Sequence, residues 1–105
     1  MSKRKPPTRT SSIEVHPLKG KREGALLNEQ IWFEGETIVA YSLAYINLRL
    51  CRVDHGRVLG FDNSHDFQHR HFMGRVEAVE YTSYDAILAR FISEVHELWR
   101  LEDEN

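Results

Sequence analysis

The stretch from Thr37 to Val53 runs for seventeen residues without a proline or a glycine, and its apolar residues fall into two interleaved sets. Ile38, Ala40, Ala44, Ile46, Leu48 and Leu50 keep one parity, and Val39, Tyr41, Leu43, Tyr45, Cys51 and Val53 keep the other. A period of two is the signature of extended chain, and a strand that is apolar on both sides needs cover on both. One face calls for a packed helix and the other for further cover such as a partner. The run exceeds the usual strand of about 5–6 residues, so it predicts a bend, a bulge or two strands, with Asn47 as the irregular point.

The flanking sequence extends the pattern. Ala25 to Phe33 carries Leu26, Leu27, Ile31, Trp32 and Phe33, and Glu34-Gly35-Glu36 follows as a hairpin turn. Asp54-His55-Gly56 makes a second turn, Arg57 to Asp62 resumes as a strand, and Val76 to Tyr81 alternates briefly. Tyr84, Ile87, Leu88, Phe91, Val95, Leu98 and Trp99 then recur at three and four, the stripe of an amphipathic helix. Thr82 or Ser83 is its N-cap, and Asp85 complements its positive end. The expected fold is α+β: an antiparallel meander of about four strands with one long C-terminal helix on one face.

With 105 residues the chain has room for one domain. Residues 1–24 hold all three prolines and read as a flexible basic arm, with Ile13-Glu14-Val15-His16 as the only hint of an edge strand. Residues 25–101 read as the domain and 102–105 as an acidic tail. The net charge of -2 hides a split, because residues 1–24 carry +5 and the remainder -7. A basic arm suits phosphate, so Lys3, Arg4, Lys5, Lys19, Lys21 and Arg22, together with Arg75, are candidate nucleic-acid contacts. No run reaches the ~18 apolar residues of a membrane span, and the first residues lack the pattern of a signal peptide, which implies no membrane and a cytoplasmic location. Cys51, the single cysteine, reads as a small buried residue. Trp32 and Trp99 read as core aromatics, and Glu94 as part of the solvated helix face.

Between the last clear strand and the helix lies Asp62-Asn63-Ser64-His65-Asp66-Phe67-Gln68-His69-Arg70-His71-Phe72-Met73-Gly74. His69 and His71 share a face if this segment is extended, and Arg70 points the other way unless the backbone turns. Three chemistries suit such a pair. His69 and His71 can exchange protons in RNA phosphodiester cleavage, with Arg70 stabilising the developing charge and no cofactor required. The same rings can ligate a divalent metal with His65, Asp62 or Asp66. Arg70, Arg75 and the histidines can also grip a nucleic-acid backbone without catalysis. Against all three stands a purely structural role, since Asp62-Asn63-Ser64 is turn chemistry and histidines at strand ends bond backbone groups.

Gly60-Phe61-Asp62-Asn63, the His69-Arg70-His71 triplet, Phe72-Met73-Gly74 and the helix from Ile87 to Leu98 resemble the TumE family of small toxins from bacterial toxin–antitoxin pairs. Members read Tyr-Asp-Asn, a short loop, His-Arg-His, an aromatic and a glycine, then a helix with a Leu-x-x-Phe core. The Tyr41 to Tyr45 strand is similar as well, and the resemblance spans Leu26 to Leu98. Here Phe61 replaces the tyrosine, and the loop from Ser64 to Gln68 lacks the usual glycines. The resemblance implies a cytoplasmic prokaryotic protein paired with a cognate antitoxin, often of helix-turn-helix type, and selects Asp62, Asn63, His69, Arg70 and His71. The leading expectation is a toxin-like protein that cleaves RNA without metal. The rival is a non-enzymatic module, such as a homodimer, that binds an antitoxin or nucleic acid.

Overall fold

The computed structural model describes residues 8–64 and 67–104. Six strands make one antiparallel sheet whose spatial order is the sequence order. They are β1 (Arg9–Pro17), β2 (Leu26–Glu34), β3 (Thr37–Ile46), β4 (Arg57–Asp62), β5 (His69–Phe72) and β6 (Arg75–Ala78), followed by the helix α1 (Tyr84–Asp103). The α+β class and the meander are as the sequence predicts. The sheet is wider by β1 and β5.

β1 falls inside the segment expected to be a flexible arm, and all nine of its residues pair with β2. Its side chains are exposed throughout, so the brief alternation of Ile13 and Val15 is its only apolar signal. Backbone hydrogen bonding holds it, while Arg9, Glu14 and the terminal Pro17 blunt the free edge. Residues 25–101 therefore do not mark the limits of the fold. β5 and β6 form a tight hairpin through Met73 and Gly74, both at positive φ (51° and 88°), the geometry that suits a two-residue turn between twisted strands.

Asn47 is the irregular point, as its position suggests. Its N–H donates to the Gly56 carbonyl, and its own carbonyl accepts from Leu50 and Cys51, which turns the chain out of β3. Its side chain is buried, with Nδ2 donating to the Tyr45 hydroxyl. Cys51 is a buried free thiol in the loop that follows.

Alternation along the strands splits the sheet into two unlike faces. Leu43, Tyr45, Leu59 and Phe61 are fully buried under Ile87, Phe91 and Val95 of α1, and Phe61 meets Phe91 edge to face at 6.3 Å. Burying an aromatic ring of this kind contributes roughly 1.5–3 kcal/mol. Ser83 caps α1, its side chain accepting from the Ala86 N–H at 3.1 Å. The helix continues through two residues expected in an acidic tail: Glu102 accepts from the Tyr45 hydroxyl and Asp103 from Arg22. No described helix is long and apolar enough to cross a membrane.

Candidate functional site

The register of β4 on β5 opposes Asp62 to His69 and Gly60 to His71. At the period of two, Asp62, His69 and His71 therefore share the face that α1 does not cover. Their ring and carboxylate ligand atoms all lie within 4.8 Å of one another. His69 is only 6% exposed, with the Phe67 ring 3.8 Å from its own, centroid to centroid.

Asp62 is the centre of the cluster. Oδ1 faces His69 Nδ1 at 3.0 Å and accepts from the Ser64 hydroxyl at 3.0 Å and the Ser64 N–H at 3.3 Å. Oδ2 lies 2.8 Å from His71 Nε2 and 3.4 Å from Arg57 Nη1. Burial alone pushes the carboxyl upward, but the hydrogen bonds from His69 and Ser64 and the nearby His71 outweigh it and hold Asp62 below the ordinary carboxylate range. His71 Nε2 is buried, with Asp62 Oδ2 at 2.8 Å as its nearest acidic neighbour among the described residues.

Arg57 completes the cluster from the start of β4. Its Nε donates to Asp54 Oδ2 at 2.7 Å and its Nη2 contacts His71 Nδ1 at 3.0 Å. It reaches them by lying across Gly60. A Cβ at that position would stand 2.6 Å from Arg57 Cδ and 3.0 Å from the Leu43 carbonyl oxygen. The absent side chain of Gly60 is what admits the guanidinium.

Arg70, expected beside the histidines as the stabilising cation, is on the opposite face. Its Nε donates to Glu94 at 2.8 Å and its Nη1 to Glu77 at 3.1 Å. Glu94 is thus a tether to the sheet and not a solvated helix residue. Arg75 pairs with Phe72 and so falls on the Arg70 side as well. Arg22 spends its charge on the helix end, donating to the Trp99 carbonyl and to Asp103, both at 3.0 Å. Lys21 lies 4.0 Å from Asp103, and Lys19 flanks the same turn. None of these cations reaches the histidines. Lys3, Arg4, Lys5, His65 and Asp66 lie outside the described residues.

Asn63 has a building role. Its Oδ1 accepts from the Tyr41 N–H at 3.0 Å and its Nδ2 donates to the Val39 carbonyl at 3.1 Å, so the side chain continues the β3–β4 ladder by one step. Sequence reasoning missed Arg57, Asp54 and Ser64. The available signal was Gly60 itself, a glycine inside a strand, which marks a close approach by another group.

An Asp and two His on one face form an N₂O donor set suited to a divalent transition ion. The same three residues without an ion form an Asp–His pair in which Asp62 holds the Nδ1 proton of His69 and leaves Nε2 as a base. No family model, curated protein or solved structure matches the chain.

Proposed function

We propose that this protein is a toxin-like component of a prokaryotic toxin–antitoxin pair that acts on RNA, and that it cleaves phosphodiesters at a divalent metal centre held by Asp62, His69 and His71. The observation that carries the reading is the convergence of those three ligand atoms within 4.8 Å on the face that α1 leaves uncovered. Asp62, His69 and His71 would hold the ion, which would supply Lewis acidity toward a phosphate without the buried rings touching the substrate. This moves the expected chemistry away from metal-free proton transfer. The RNA target and the antitoxin partner follow from the motif resemblance of Asp62-Asn63 and His69-Arg70-His71.

An ion on His71 would require Arg57 and Asp54 to rearrange, because Arg57 Nη2 faces His71 Nδ1 at 3.0 Å. With Nε2 of His71 given to an ion, its Nδ1 must carry the proton, which Arg57 cannot accept. Asp54 Oδ2, 3.9 Å from Nδ1, is the nearby acceptor, and a ligating histidine characteristically donates its second N–H to a carboxylate. Arg57 Nη2 would then leave Nδ1 while its Nε stays on Asp54 Oδ2. A second reading, proton transfer by His69 alone, is favoured by the 3.0 Å contact of its Nδ1 with Asp62, which fixes the tautomer.

The test is expression of wild type and His69→Ala in a bacterial host without the partner, following growth and RNA integrity. Wild type should arrest growth and degrade RNA, and His69→Ala should do neither. Growth of wild type equal to an empty-vector control would remove the toxin reading. RNA cleavage by the purified protein should stop with chelator and return with manganese or zinc. Chelator-insensitive cleavage would select proton transfer instead.

A further inference from the structure

Beside the Asp62 cluster, on the same uncovered face, opens a cleft of about 430 Å³ that includes Arg9, Trp32, Val39, Ser42 and Asp62 in its lining. It is built by an irregularity. Trp32 pairs with Ala40 and Phe33 with Ile38, so Val39 is the extra residue of a β-bulge. Bulges re-aim side chains and bend the strand that carries them. Asn63 fixes this one by taking the Val39 carbonyl and the Tyr41 N–H. One dipeptide, Asp62-Asn63, thus contributes to the cluster with its first residue and shapes the cleft with its second.

The sequence alone suggests that Trp32 is a core aromatic. It is instead partly exposed and lines the cleft. Arg9 is exposed, and its guanidinium makes no ion pair among the described residues. An indole and an unspent guanidinium at one cleft suit a planar ring bearing an anion. The registers Trp32 to Ala40 and Ser42 to Asp62 set Trp32 two strands across from Asp62 and two residues along, about 12 Å at the usual strand spacing and rise. A short single strand can span that gap.

We infer that this cleft is the base-binding subsite for single-stranded RNA: one base stacks on Trp32, Arg9 takes a backbone phosphate, and the strand continues toward Asp62. Stacking on an aromatic needs an unpaired base and tolerates any sequence, whereas a duplex keeps its bases stacked on one another. The inference rests on the RNA reading above and deepens it by placing the substrate.

The experiment uses the full chain, stripped of metal, with a fluorescently labelled single-stranded oligoribonucleotide whose 2'-hydroxyls are methylated so that neither mechanism cleaves it, followed by anisotropy. Wild type should bind saturably, and a blunt-ended RNA duplex of the same length should bind at least about tenfold more weakly. Trp32→Ala and Arg9→Ala should each weaken single-strand binding by about tenfold, and Trp32→Tyr should restore most of it. Manganese or zinc affinity, measured by calorimetry on the same preparations, should be unchanged in Trp32→Ala and lost in His69→Ala. Equal RNA affinity in wild type, Trp32→Ala and Arg9→Ala would overturn the inference whatever the metal result. Loss of ion binding in no variant, with RNA binding lost in Trp32→Ala, would overturn the metal centre and leave the cleft standing. Absence of any RNA binding by wild type would overturn the cleft as an RNA subsite.

Discussion

The two faces of the sheet are made by the same strands and differ in almost everything else. On the helix side, Leu43, Tyr45, Leu59 and Phe61 pack against α1 with no exposed surface. On the other, Ala40, Ser42, Ala44 and Gly60 leave a shallow floor from which Asp62, His69 and His71 rise. β4 contributes to both at alternate residues: Leu59 and Phe61 to the core, Gly60 and Asp62 to the site. Apolar packing holds the first face, and a hydrogen-bonded charge network holds the second. The contrast teaches that this sheet is stabilised from one side and chemically furnished on the other, so substitutions on the two faces should separate stability from function.

The strongest break in that contrast is expected from Phe91→Ala. Removing a ring packed on Phe61 should cost about 3–5 kcal/mol in a urea unfolding experiment, while ion affinity of the folded protein stays unchanged. A parallel loss of ion affinity would show that the faces are coupled. His69→Ala should do the reverse, lowering manganese or zinc affinity at least about a hundredfold with a smaller change in the unfolding midpoint. A large destabilisation with unaltered ion affinity would make His69 a structural residue. Gly60→Ala tests the boundary, since its Cβ meets Arg57 on one side and the Leu43 carbonyl on the other. It should cost about 1–3 kcal/mol, and Arg57→Ala in the same chain should recover part of that cost. No recovery would mean that the backbone contact, and not Arg57, sets the need for glycine.

The smallest effect is expected at alkaline pH. Burial first, then Tyr81 and Asp62, push the Tyr41 hydroxyl up to about 12. A folded value raised above the ordinary 10.0 contributes stability in full below pH 10 and loses it as pH climbs toward 12. Denaturant midpoints should therefore fall between those limits in wild type and fall less in Tyr41→Phe. Equal slopes would remove Tyr41 from the account.

Much of this was legible in the chain itself, where local chemistry decides. The two parities of Thr37 to Val53 gave the central strand, Asn47 its end, Ser83 the cap, and the spacing of His69 and His71 their common face with Arg70 opposite. What stayed hidden depends on pairing between distant segments. β1 is exposed and mostly polar, so Ile13 and Val15 only hint at a strand whose length its pairing with β2 reveals. Arg57 enters the site because Gly60 is flat, and Asp62 meets His69 because of a strand register that composition does not encode. The capture of Arg22 by the helix end likewise required a contact across 77 positions.

That last contact bears on how the protein is made. Arg22 donates to the Trp99 carbonyl and to Asp103, residues translated after β1 to β6. As the chain leaves the ribosome, the strands can pair in the order of their synthesis while the apolar face waits for its helix, since chains fold from the N-terminal side during synthesis. The Arg22 clasp closes only when the final turn of α1 has emerged. Until then, a nascent chain holds an open hydrophobic sheet, and the interval between β6 and Asp103 is when it is most exposed to chaperones and to misassembly with its neighbours.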